Sequence, residues 1–397
     1  MNVTISVPGT FWAFRIAREL TARGETVQVF TTTPQYRLPS ELPSEQVHPI
    51  RYPGIIKKVG YLLPDNGWFA RHTHWNRPIQ RLGDYSFDKA VARRLSPVGR
   101  DNRDIFLGFA GACHDSLVQA NRYGYVTGVE RSSSHIRTQR RLINEEYDRY
   151  GVEGQPISIS HVEREEMEYD AADFIITPSK FSYNTLVEHG VPAEKICIIP
   201  FGANTNFDVP DRQESNHPFT FLFTGHVSLR KGAQYLLDAW EEQSLPNAQL
   251  LIAGHIEDAL KDRVEDFSDD DSVEFLGWVD NLEELYRKAS VFVFPSIEEG
   301  SARVTYEAMS WGLPVVTTFN SGWVGTDSVH GVEIPIRDPD ALVNAMTRLY
   351  EDSTLRQRMS TQARDLIESK YTWDHYAERV HKTYRTVVQE KSNPREN

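Results

Sequence analysis

Apolar residues in this chain come in short runs separated by helical stretches, and the alternation begins at once. Val3–Val7 reads as a strand and Pro8–Thr10 as a turn. A helix then runs through Leu20 and Ala22, with Phe14, Ala17 and Leu20 at three-residue steps on one face. Gly24 suits the residue that closes this helix, and Val27–Phe30 reads as the next strand. The pattern predicts further strands at Asp104–Phe109, Tyr125–Val129 and Ala172–Thr177, with a helix at Ser116–Tyr123. Strands alternating with helices pair in parallel and are covered on both faces.

Ile198–Phe207 closes this first series, and the polar stretch Asp208–Pro218, with two prolines, predicts a hinge. A second series follows, with strands at Phe219–Thr224, Gln249–Ala253, Ser272–Leu276, Val291–Phe294 and Pro314–Thr317. The organisation expected is α/β. Two doubly wound domains, 1–205 and 206–372, face a central cleft at the carboxyl ends of their sheets. In the tail, 373–397, Trp373, Tyr376, Ala377, Val380, Tyr384 and Val387 recur at three- and four-residue steps, which predicts an amphipathic helix with one buried face.

Composition narrows the classes. At 397 residues, 40% hydrophobic and 25% charged, the chain is long enough for two ordinary globular cores. A net charge of -13 argues against nucleic acid as a partner. No apolar run reaches the roughly 18 residues a membrane span needs, and no basic segment precedes the first strand, so a cytoplasmic protein is expected. Cys113 and Cys197 offer neither a disulfide framework nor metal spacing, and no metal is expected.

Two segments carry chemistry. Phe223–Gly232 is a strand end, a glycine turn and a helix start. Its free backbone N–H groups, helix dipole, Arg230 and Lys231 suit a diphosphate, although two cations at a helix start are also ordinary surface charges. The second segment follows a later strand and holds Glu299 and Glu307 with seven residues between them. Glu307, one turn into its helix, is placed to accept from ribose hydroxyls, and Glu299, in the loop, to meet a sugar. Trp68–Trp75, with Arg77 and Arg81, mixes aromatics and cations and suits either an acceptor or membrane surface or a packed helix with snorkelling arginines. His72 and His74 lack partners for a metal, and Asp269–Asp271 reads as a solvated loop.

Taken together, these phrases resemble retaining glycosyltransferases of family 4 (glycosyltransferase group 1) with the GT-B fold of two Rossmann-like domains. Gly225–Gly232, Leu251–Gly254, Phe275–Val279 and Phe294–Val316 are similar to the family's motifs in the second half, and Glu168–Ser179 and Ile199–Gly202 to phrases of the first. The resemblance implies metal-free transfer of a sugar, with retention, from a nucleotide-sugar donor to a glycan, lipid-linked or small-molecule acceptor. It also implies a C-terminal helix packed back on the first domain, and peripheral contact of that domain with the inner membrane face is compatible with it.

By position, the resemblance gives Arg230 and Lys231 the diphosphate, Glu307 the ribose and Glu299 the donor sugar, with backbone amides of Gly300, Ser301, Ala302 and Arg303 at phosphate oxygens. The chain departs from the family at His226, where arginine is frequent, at the single glycine Gly9 of the first turn, where a pair is frequent, and at Ala302-Arg303, where glycine and an apolar residue are usual. Members carry a histidine after a strand of the first domain, and the stretch Tyr125–His135 leaves His135 and Arg131 as alternatives for that place. A nucleotide-sugar epimerase on the same fold and a noncatalytic sugar-nucleotide binder are the alternative functions.

Overall fold

The computed structural model describes residues 1–37, 42–62, 76–99, 104–153, 157–209, 218–243 and 245–392. The first sheet comprises β1 (Asn2–Val7), β2 (Thr26–Thr31), β3 (Val47–Pro49), β4 (Ile105–Phe109), β5 (Val126–Glu130), β6 (Phe174–Thr177) and β7 (Ile196–Ile198), in the order β3-β2-β1-β4-β5-β6-β7. The second comprises β8 (Phe219–Thr224), β9 (Ala248–Ala253), β10 (Val273–Gly277), β11 (Val291–Phe294), β12 (Val315–Thr318) and β13 (Gly331–Ile334), in the order β10-β9-β8-β11-β12-β13. Every pairing is parallel.

Burial on both faces explains the strand sequences. Val291, Phe292 and Val293 are fully buried, and each such side chain contributes roughly 1.5–3 kcal/mol of hydrophobic stabilisation. Two strands, β3 and β13, escape the apolar pattern, and β7, Ile-Cys-Ile, keeps it over only three residues. β3 is the three residues Val-His-Pro, and β13 opens on Gly331, where a Cβ would stand 2.0 Å from the Val315 carbonyl oxygen.

The helix Trp373–Ser392 returns to the first domain, with Tyr376, Ala377, Val380 and Tyr384 buried as expected. Its last buried position is Val388, while Val387 is only half-buried. His381 meets Glu25 at 2.8 Å, and Lys391 pairs with Asp173 beyond β5. Residues 210–217 of the expected hinge and the Trp68–Trp75 stretch lie outside the described residues. Among the described residues, no helix is long and apolar enough to cross a membrane, and no group of His, Cys, Asp or Glu is arranged to hold a metal ion.

Candidate functional site

In the second sheet the chain order reverses between β8 and β11, which are neighbours, and the loops that leave their carboxyl ends lie where sheets of this kind carry their ligand crevice. Glycines shape the loop after β8. Gly225 has φ +131°, and Gly254, just after β9, packs so closely that a Cβ on it would stand 1.7 Å from the Gly225 oxygen. Gly232 has φ +69°, caps the helix Ala233–Glu242, and has the Pro295 oxygen 2.0 Å from where its Cβ would be. Only glycine fits such positions. The Arg230 carbonyl accepts from the Ile297 amide at 3.0 Å, so the loops after β8 and β11 are joined directly.

This joining brings Arg230, Lys231 and Glu299 together. Lys231 and Glu299 form an ion pair, and Arg230 Nη2 lies 4.0 Å from Glu299 Oε2. Burial and then neighbouring Arg230 push the Lys231 amine well below its ordinary range. Glu307, half-buried, accepts from the Tyr286 hydroxyl at 3.2 Å and lies 3.6 Å from Arg303. Burial raises its pKa, against the pull of Arg303 and Tyr286. The Tyr286 hydroxyl is also 3.2 Å from Thr224 Oγ1, which ties Glu307 to the end of β8.

Other expected residues fall into place differently. The Ala302 amide is bonded to the Ser321 carbonyl at 2.8 Å, so this N–H is not free for a phosphate. The Ser301 hydroxyl is engaged by Tyr306 and the Gly322 carbonyl, which leaves the residue only its backbone to offer. Arg303 begins the helix Arg303–Ser310 and is half-exposed beside Glu307. His226 is exposed on the loop after β8. Gly9 follows β1 at the reversal of the first sheet, where its carbonyl accepts from Thr31 Oγ1 at 2.6 Å and the Phe11 ring lies 3.2 Å from the position of a Cβ. Arg81, on the helix Asn76–Ala92, donates to Ser158.

Across the cleft the two candidates after β5 separate. His135 is buried within the first domain, capping the helix Ile136–Arg149 through Nδ1 and stacking on His189 at 4.2 Å. Burial, and then His189 and nearby arginines, hold its pKa down at about 3. These contacts do not bring it to the Arg230–Lys231 group. Arg131 holds the Ser134 carbonyl through Nε at 2.8 Å, pairs with Glu165 at 2.9 Å and bonds Gln139 at 2.9 Å.

The residue that sequence reasoning passed over is Glu298. Its buried carboxylate accepts from Arg230 Nε at 2.9 Å and, from the other domain, from the hydroxyls of Ser133 and Ser134 at 2.6 Å each. The Ser134 amide at 3.1 Å and Gln139 Nε2 at 3.2 Å complete its shell. Burial alone would raise this carboxyl; Arg230 and the serine hydroxyls hold it at about 2. Beside it Gly300 packs on Ser132, and its carbonyl accepts from Ser179 and Ser182. The adjacent glutamates therefore divide, Glu299 turning to the cations of the loop after β8 and Glu298 bridging the domains.

Residues 218–352 match a family model described as glycosyl transferases group 1. An uncharacterized glycosyltransferase of Methanocaldococcus jannaschii is 28% identical over 240 residues, covering 56% of this chain and 62% of its own. The match thus spans less than two thirds of that relative. Among solved structures, sucrose-phosphate synthase from Thermosynechococcus elongatus has a TM-score of 0.73 at 18% identity, over 98% of this chain and 99% of that one. HepE of Anabaena, in complex with UDP and glucose, has a TM-score of 0.64 at 15% identity, over 97% and 100%. At these identities the likeness is one of fold.

Proposed function

We propose, because residues 218–352 match the family model of glycosyl transferases group 1 and the chain has the two-domain GT-B fold, that it transfers a sugar from a nucleoside-diphosphate-sugar donor to a carbohydrate or lipid-linked acceptor, with retention at the anomeric carbon. The observation that carries this reading is the joining of Arg230, Lys231 and Glu299 at the reversal of the second sheet, with Glu307 tied through Tyr286 to the end of β8. A GT-B neighbour that binds UDP and glucose supports a nucleotide-sugar donor.

Each group has a task in this reaction. The bond between the anomeric carbon and the diphosphate oxygen breaks, and negative charge gathers on the departing oxygen. Arg230 and Lys231, already fixed in the crevice, stabilise that charge as it forms, and no metal ion is required in this scheme. The N-terminus of the helix Arg303–Ser310 adds its dipole. Glu307 accepts from ribose hydroxyls. Glu299 leaves Lys231 when the diphosphate arrives and turns to the sugar's hydroxyls, so one ion pair is exchanged for two donor contacts.

The test is incubation with UDP, GDP, ADP and dTDP sugars, with and without an acceptor extract and with and without EDTA. Acceptor-dependent, EDTA-insensitive release of the nucleoside diphosphate, with a product of the donor's anomeric configuration, is the expected result. Conversion of the donor sugar without acceptor identifies an epimerase instead. Binding without turnover in any mixture identifies a noncatalytic relative.

A further inference from the structure

Arg230 is held chiefly by its Nε. That atom donates to Glu298 Oε2 at 2.9 Å and to the Glu298 carbonyl at 3.1 Å, while Nη2 makes only longer contacts, a 3.4 Å bond to Ser133 Oγ and a 4.0 Å approach to Glu299 Oε2. A guanidinium engaged through Nε keeps its two terminal nitrogens for a second, planar partner, and a phosphate is such a partner. If the carboxylate turned to take Arg230 through Nε and Nη2 together, it would use one of those terminal nitrogens. The two serine hydroxyls and the Ser134 amide oppose that turn by occupying the other oxygen, Glu298 Oε1, at 2.6, 2.6 and 3.1 Å.

These donors belong to the other domain. Ser133 and Ser134 precede the helix Ile136–Arg149, whose far end is also tied to the second domain. There Glu146 accepts from Gln234 and Tyr235 at 2.9 Å each and pairs with Arg337, and the Tyr147 hydroxyl bonds Glu257 at 2.8 Å. The segment Ser133–Tyr147 is therefore tied to the second domain at both ends, and its leading end holds the Glu298 carboxylate.

We propose that Glu298 is a positioning residue that presents Arg230 to the donor diphosphate only while Ser133 and Ser134 hold it, so that diphosphate affinity is coupled to closure of the domains. The proposal rests on the donor-site reading of Arg230 given above. Coupling of this kind makes the first domain a determinant of donor affinity through residues that act on a carboxylate, not on the donor.

The experiment is calorimetric titration of the full chain with UDP, GDP, ADP and dTDP and with the monophosphate of whichever base binds. In Ser133→Ala/Ser134→Ala the diphosphate dissociation constant is expected to rise about tenfold while that of the monophosphate stays within twofold, a separation that general loosening of the fold does not produce. Glu298→Gln provides the second arm. Removing a negative charge beside two cations would by Coulomb's law alone tighten anion binding, whereas positioning predicts weaker diphosphate binding. Unchanged or tighter diphosphate binding in either variant, or equal losses for the two nucleotides, overturns the proposal. Failure of the unaltered protein to bind any of the four diphosphates overturns the donor-site reading itself.

Discussion

Gly300 and Ser132 meet backbone to backbone across the domain boundary, so closely that a Cβ on Gly300 would stand 1.8 Å from the Ser132 carbonyl oxygen. The Gly300 carbonyl is already held by Ser179 and Ser182 of the first domain, so the glycine cannot withdraw without losing those bonds. Gly300→Ala is expected to hold the domains apart by about the width of a methyl group. Misplacement on that scale lowers turnover roughly 10²-fold. The loss should appear in kcat/KM, with a larger radius of gyration in solution scattering and little change in the thermal midpoint. Wild-type turnover in the folded variant would show that this contact is not kept during the reaction.

Lys231 and Glu299 answer to each other, and their variants should show it. Either Lys231→Ala or Glu299→Ala is expected to lower kcat by roughly 10²–10³-fold, the scale for removing one group that stabilises developing charge or fixes the reacting sugar. Because the two residues share one ion pair, the double variant should lose less than the product of the single losses. Near wild-type turnover in either purified single variant refutes the roles assigned to both. Strictly multiplicative losses would refute their coupling.

Tyr286 holds Glu307 from below the crevice, at 3.2 Å, and is itself fully within the core. Tyr286→Phe removes one hydrogen bond without removing the ring. A net loss of about 1 kcal/mol is expected, read as a several-fold rise in donor KM with kcat unchanged. If Glu307 is the ribose anchor, the variant should also discriminate less between a ribonucleoside diphosphate and its 2′,3′-dideoxy form. Unaltered discrimination would move Glu307 away from the ribose.

How far the sequence carried these conclusions depended on distance along the chain. Parallel strands buried on both faces leave apolar runs, so most strands of both sheets were legible, while β3 and β7 have only three residues and β13, Gly-Val-Glu-Ile, holds a glycine and a charge in place of an apolar run. The turn Gly225–Gly232 and the pair Glu299 and Glu307 were legible because each lies within one local segment after one strand. Glu298 was not, because its partners Ser133 and Ser134 are 165 and 164 residues away and nothing local marks a carboxylate that turns to another domain. His135 shows the converse. Its spacing after β5 allowed a place in the cleft, but its ring caps its own helix and stacks on His189.

Glu130 ends β5 with Oε2 buried and without a hydrogen-bond partner among the described residues. Burial pushes its carboxyl up to about 8 from the ordinary 4.5, with Trp12 only partly opposing. Between these two pH values the unfolded chain has released the proton and the folded chain still holds it. The folded state therefore binds more protons, and stability falls as pH rises from about 4.5 to about 8, by up to about 1.4 kcal/mol per pH unit for a single group, and levels off above. Glu168, raised to about 8 by burial and by Glu165, contributes in the same direction. Glu130→Gln is neutral at every pH and keeps the shape, so it should match the unaltered protein near pH 4.5, exceed its stability at pH 8, and leave a pH slope less negative by the contribution of Glu130. Urea unfolding at half-unit intervals from pH 4.5 to 9 measures that slope; identical slopes in the two proteins would show that Glu130 ionises normally within the fold.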